Sequence, residues 1–364
     1  MCSFLAAISC TLPGLRQPLP RYIPLLFIFF SFIACKGQYP SNSKNLADLT
    51  IANPKSGFNS GLLDRNGNMW FGSFGTGLYR FDGEQFRIVT EADGLCSSEI
   101  NTIFEDKKGM LWLGTSDGLC TYDGELFFHI SIPFQDTSSV WLDQVYPVIN
   151  PNAVHAIIQD KKGKYWLGTG GGGAFMYDGK TFTSMLADEG RKYADSLYHN
   201  WIPDIAEDAS GNIWFASMSY GGLNRFDGKT YTRYLQKDGL SDDMIRKIHV
   251  DKNGKIWLGF NGNRKSALTV FDGDAFHIFT ENRDVCHRNI RAMYEDKNAN
   301  LWLGGEDGIC ILSKGQFSEF LNADGQSFMG ITFILEDKNQ RIWFGGRFGL
   351  WVYNGTELIE LTRG

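Results

Sequence analysis

The chain of 364 residues is 43% hydrophobic and 14% aromatic, with 42 glycines and a formal net charge of −6 at pH 7. That acidic balance excludes the basic footprint that phosphate neutralisation requires, so no nucleic-acid partner is expected. Abundant aromatics and glycines, with few apolar runs of helical period, point instead to many short strands joined by tight turns.

The N-terminus reads as a separate object. Arg16 and Arg21 precede an apolar run from Ile23 to Ala34, too short to span a bilayer but of signal-peptide length. The run ends Phe32-Ile33-Ala34-Cys35, which resembles a bacterial lipobox and makes Cys35 the expected lipidation site. Residues 1–35 are therefore expected to direct export to the bacterial cell envelope, with a plainly cleaved signal and an uncleaved anchor as the alternatives. The long stretch before Arg16 suggests a true start further downstream. Residues 36–55, rich in Pro, Ser and Asn, read as a flexible tether.

Residues 56–364 then repeat one cassette: Asp, two turn residues, Gly, two residues, Trp, apolar, Gly, a short loop and an apolar run ending in Asp-Gly. Its tryptophans are Trp70, Trp112, Trp166, Trp214, Trp257, Trp302 and Trp343, roughly 41 to 54 residues apart, a period that belongs to blades or solenoid units. In the second repeat, Ile100–Asp106 reads as a half-buried strand and Asp106-Lys107-Lys108-Gly109 as a tight turn. Met110–Thr115, Leu119–Tyr122 and Leu126–Ile130 supply three more strands, the last two joined by an Asp123-Gly124 hairpin. Four antiparallel strands, repeated seven times about an axis, predict an all-β, seven-bladed β-propeller. The cassette tryptophans are expected to fill the wedges between blades. The Asp-x-x-Gly turns lack the further carboxylates of a calcium loop.

The cassette Glu105-Asp106-Lys107-Lys108-Gly109-Met110-Leu111-Trp112-Leu113-Gly114-Thr115, and its counterpart Asp160–Thr169, resemble the two-component regulator propeller repeat. The resemblance implies an extracytoplasmic sensor propeller, of the kind that detects glycans or their breakdown products for a membrane histidine kinase. With one set of seven repeats and no stretch left for a kinase or receiver module, a separate transducer or envelope protein is the expected partner.

Variable connections between blades, and between the second and third strand of each blade, should gather on one rim, where binding is expected. Candidate ligand-binding residues there are Trp141, Tyr146, Tyr198, His199, Trp201, Tyr220, Asn261, Arg264, Arg288 and Arg347, since aromatic faces beside amides and guanidinium groups suit a sugar or another small polar-apolar ligand. The competing readings are a lid over the channel, a protein-docking scaffold, and a lyase similar to the streptogramin lyases, with a histidine base and magnesium drawn from His155, His199, Glu306 and Asp307. No catalytic residue, cofactor or metal ligand is assigned. Cys96 and Cys120 are 24 residues apart in the second repeat, and Cys286 and Cys310 are 24 apart in the sixth, at matching places. Two equivalent disulfides are expected, against four buried free thiols.

Overall fold

The computed structural model describes residues 51, 57–133, 152–186, 201–261, 266–280 and 289–362. The expected signal segment, nearly all of the tether and Cys35 lie outside them. Twenty-eight strands, β1 to β28 in chain order, form seven four-stranded antiparallel sheets, each made of four consecutive strands. The result is a seven-bladed β-propeller whose blades are continuous in sequence. The inner strands are β1 (Phe58–Leu63), β5 (Ile100–Glu105), β9 (Val154–Gln159), β13 (Asp204–Glu207), β17 (Ile245–Val250), β21 (Ile290–Glu295) and β25 (Ile331–Glu336).

The core is a ring of apolar wedges, one per blade junction. At each, the tryptophan of one blade packs against the inner strands of the next, as Trp112 does with Val154, Tyr165 and Leu167, and Trp257 with Ile290 and Met293. The last junction closes the ring. Trp343, Phe333 and Leu335 of blade seven pack with Phe71 and Tyr79 of blade one, and the Ile51 N–H donates to the Leu361 carbonyl at 2.9 Å. Burying one such large side chain is worth roughly 1.5–3 kcal/mol, so the wedges carry most of the stability.

The tryptophans do more than fill space. In all seven blades the indole N–H donates to the Oδ2 of the aspartate six residues earlier, at 2.8–3.1 Å. The same aspartate receives backbone N–H bonds across its turn, as Asp106 does from Lys108 and Met110. One carboxylate therefore ties turn, strand and wedge together. These acceptor bonds hold the carboxyls of Asp64, Asp106, Asp208 and Asp296 below the usual carboxylate range despite the opposing effect of burial. The turn glycine expected in every cassette is replaced in the last two blades, where Ala299 and Gln340 occupy the left-handed region at φ 61° and 62°. Their side chains meet there a conformation that glycine adopts freely.

A belt of polar contacts laces neighbouring blades along the rim of short turns. Backbone N–H groups of Arg65, Lys107, Lys161, Lys252 and Lys297 donate to the Glu or Gln that precedes the next blade's cassette aspartate. Lys338 Nζ reaches the Arg65 carbonyl at 3.2 Å and carries the belt across the closure.

Cys96 and Cys120 form a disulfide, Cα–Cα 6.0 Å, that pins the entry loop of blade two to its third strand. Cys310 is disulfide-bonded as well, while Cys286 lies outside the described residues.

Candidate ligand-binding site at the channel mouth

A half-buried strand at Ile100–Asp106 implies alternation of apolar and polar residues, and there the structure differs. Ile100 and Ile103 are buried while Asn101 and Thr102 between them are not. The cause is a β-bulge. Ile100 pairs with Thr115 and Thr102 with Gly114, so Asn101 is an extra residue with no partner across the ladder. The register skips in the same way at Asn59, His155, Arg246, Arg291 and Thr332. Pro203 holds the equivalent place ahead of β13, where a residue without an N–H forfeits no ladder bond. A bulge bends its strand and re-aims its side chain. All seven of these residues line one cavity of about 460 Å³ at the axis, together with Phe74, Glu99, Trp201, Asp204 and Lys247.

The cavity lies at the end where the inner strands begin, on the side of the variable connections. Its volume falls within the 300–1,000 Å³ common for small-ligand sites. The Trp201 ring stands 5.9 Å from the His155 ring, and its indole N–H is buried without a partner among the described residues. Asn59 donates to Asn101 at 3.4 Å, leaving the Asn101 amide nitrogen unpartnered. Lys247 pairs with Asp204 at 3.0 Å. Above Arg291, the Glu306 carboxylate bridges Arg291 at 2.8 Å and Arg347 at 3.3 Å.

His155 and Arg246 keep a little water-accessible surface toward the channel but are walled by protein on nearly every side. Burial, reinforced by Arg246, pushes the His155 imidazole down to about 4. Burial and the neighbouring Arg291 and Arg347, partly opposed by Glu306, bring Arg246 down to about 9. His155 is therefore neutral at neutral pH. Below its ordinary value of 6.5 the unfolded chain takes up a proton that the folded chain refuses until about pH 4, so folding stability should fall across that window on acidification. His249, also held down by burial, contributes with the same sign. In denaturant titrations from pH 7 to pH 4, His155→Gln should flatten the slope and adding His249→Gln should flatten it further; an unchanged slope would contradict the burial of His155.

Of the residues proposed from sequence, Trp201 lines the cavity. Arg347 stands one residue removed, held by Glu306. Tyr220 sits in the left-handed region at φ 62° and is 39% exposed in the connection between β14 (Ile213–Ala216) and β15 (Leu223–Phe226), away from the cavity lining. Asn261 is half-buried, its N–H directed at the Met244 carbonyl. Trp141, Tyr146, Tyr198, His199, Arg264 and Arg288 lie outside the described residues. His155 was named only for the lyase reading and the other residues of this ring were missed, although a signal existed: each stands five positions before a cassette aspartate, inside an apolar-x-x-apolar run in six of the seven blades. For the lyase reading, Glu306 is bound to two arginines, and among the described residues no three His, Cys, Asp or Glu side chains come together as a metal site.

Residues 94–117 and 149–171 match the family model described as Two component regulator propeller, so the chain carries repeats of that kind. Over 184 residues, 47% of its length, it is 28% identical to Histidine kinase P4 of Formosa agariphila, of which it covers 12%. A structure described as the extracellular domain of a hybrid two component system, BT3049 of B. thetaiotaomicron, superposes with a TM-score of 0.67 at 23% identity, covering 86% of this chain and 40% of that one. A catalytically inactive virginiamycin B lyase from Staphylococcus aureus, with quinupristin, superposes with a TM-score of 0.59 at 14% identity over 82% of this chain and 94% of the lyase. At these identities the two structures share the fold with this chain. Among the described residues no helix is long and apolar enough to cross a membrane.

Proposed function

We propose that this chain, built of two component regulator propeller repeats, is an extracytoplasmic binding propeller that takes a glycan fragment or similar small polar ligand at its channel mouth. The observation that carries this reading is the ring of six bulged residues and Pro203, which brings seven side chains from seven blades to one cavity beside Trp201. A side chain aimed by a bulge on a packed inner strand is more rigidly placed than one on a surface loop. An indole face stacks on C–H surfaces, while asparagine, threonine and arginine groups offer the directional partners that hydroxyls need. Occupancy would be reported to a separate envelope protein, in keeping with the histidine kinase and two component system descriptions of the proteins it resembles. Export and lipid attachment at Cys35 belong to the same proposal and are supported by the apolar run before that residue.

Thermal-shift screening of the purified protein against oligosaccharides, with and without Mg²⁺ or EDTA, tests it. A ligand that binds only the folded state stabilises by RT ln(1 + [L]/Kd), so weak ligands register at high concentration. The expected result is a saturable rise in Tm with the ligand recovered intact and with Trp201→Ala abolishing the shift. Metal-dependent consumption of the ligand would favour the lyase reading instead, and an unchanged shift in Trp201→Ala would move the site away from the channel.

A further inference from the structure

We infer that the channel mouth is built for an anionic group, a carboxylate, sulfate or phosphate, gripped by Arg246 and the unpartnered donors around it; this rests on the channel mouth being the ligand site. Arg246 and Arg291 occupy the same bulge position in adjacent blades, so the fold sets two guanidinium groups side by side. Among the described residues one carboxylate, Glu306, is bound among these arginines, and it pairs with Arg291 and Arg347. Arg246 has no ion-pair partner among the described residues, although protein walls it on nearly every side. Like charges held close in a poorly hydrated site disfavour the empty state, and an anion placed between them removes that penalty.

The unpartnered polar atoms point the same way. Those lining the cavity are Asn101 Nδ2, Trp201 Nε1, Arg291 Nε and Ser60 Oγ; the first three are donors only, and the hydroxyl can donate as well. A ligand that satisfies them must present acceptors. The acidic groups in the lining do not compete strongly: Asp204 is bound to Lys247, and Glu99 is exposed at the rim. A planar guanidinium fork matches the paired oxygens of a carboxylate, sulfate or phosphate, a geometry a lysine would not supply.

Isothermal titration of the purified protein against sodium sulfate, sodium phosphate, a uronic acid disaccharide and its carboxyl-reduced neutral counterpart tests the inference. The charged disaccharide is expected to bind roughly 10- to 100-fold more tightly than the neutral one, the difference typical of a charge-assisted bond. Arg246→Met should abolish that preference. Because Arg246 has no ion-pair partner to lose among the described residues, the variant should melt no lower than the parent in the absence of ligand, which separates a binding defect from a folding defect. Lys229→Ala, on the opposite rim, should leave binding unchanged. The relative strength of the sulfate, phosphate and uronate arms identifies which anion the site prefers. Equal affinity for charged and neutral disaccharides, lost in Trp201→Ala but intact in Arg246→Met, would overturn the inference while leaving the binding reading in place. Binding that neither substitution disturbs, or no binding in any arm, would overturn both.

Discussion

Replacing Asp106 by alanine is expected to lower folding stability by about 3–5 kcal/mol. Its Oδ2 accepts the Trp112 indole N–H at 3.1 Å and the Tyr165 hydroxyl of the next blade at 2.8 Å. Its Oδ1 accepts the N–H groups of Lys108 at 2.8 Å and Met110 at 3.0 Å. All of this happens at a site where Asp106 is 2% exposed and the indole is 4% exposed, so water cannot readily replace what is lost. A buried donor left without an acceptor costs about 1–3 kcal/mol, and alanine leaves the indole and the phenol in that condition together. Tyr165 also stacks on Trp112, with ring centroids 4.1 Å apart, so the same carboxylate holds the wedge between blades two and three in place. Tyr165→Phe should cost only about 1–2 kcal/mol, because it keeps the stacking and removes one donor along with its bond. Asp106→Asn should fall between the two, since the amide keeps one acceptor oxygen but turns a donor toward the indole. Urea unfolding followed by tryptophan fluorescence orders the three variants, and an Asp106→Ala midpoint no lower than that of Tyr165→Phe would refute the account.

How much of this was legible in the sequence varies with the physics involved. The repeat of tryptophans at a nearly constant spacing gives blade number, strand order and the sidedness of the loops, because the wedge between twisted sheets demands a large apolar side chain at one place per blade. The partnership between that tryptophan and the aspartate six residues earlier was equally available, since both recur together seven times, but it went unread. The aspartate has an obvious local role in its turn, and a local role conceals a second, longer one. Trp343 bonded to Asp337 illustrates this: the turn explains the acid, the core explains the indole, and only the folded β-sheet brings the two to 2.9 Å.

The site was less legible still. Reading Ile100–Glu105 as simple alternation misses that two polar residues in succession interrupt the apolar ones, which is the trace a bulge leaves in sequence. Ile245-Arg246-Lys247-Ile248 carries the same interruption, and Ile290-Arg291-Ala292-Met293 carries a single polar residue at the bulge. Had the seven repeats been aligned on their aspartates, the column five places upstream would have stood out as Asn, Asn, His, Pro, Arg, Arg and Thr, directly after a column that is apolar in every blade. What could not have been foreseen is that Glu306, from a loop, would bridge Arg291 and Arg347 and leave Arg246 alone. That depends on which of several nearby cations a flexible carboxylate reaches, and no spacing rule encodes it.

The second large effect is steric and acts on the fold and the site together. Gly168→Ala is expected to cost about 2–4 kcal/mol, in the range of forced overpacking at a backbone contact, and to weaken ligand binding as well. A Cβ built on Gly168 would stand 2.3 Å from the Ile202 carbonyl oxygen and 2.9 Å from Ile202 Cγ2. The first of these is backbone, held by the Ile202 N–H bond to the Thr169 carbonyl at 2.9 Å, so it cannot swing aside as a side chain would. The strain must move the segment from Trp201 to Pro203, both ends of which line the cavity. The equivalent glycines Gly114 and Gly259 face the Val154 and Ile290 carbonyls at 2.6 Å, so close approach to the next blade is the general reason for the cassette glycine. Blade four departs from the rule: Ala216 takes this place and is fully buried, which means its junction with blade five already has room for a methyl group. Ala216→Gly should therefore cost only about 1 kcal/mol, through lost packing and added freedom in the unfolded chain. Comparing the two variants by thermal melting separates close approach at one junction from a general intolerance of change at this position. Equal and small losses in both would show that blades three and four can part by a few tenths of an ångström without penalty, and the close fit of the ring would then not be what positions Trp201.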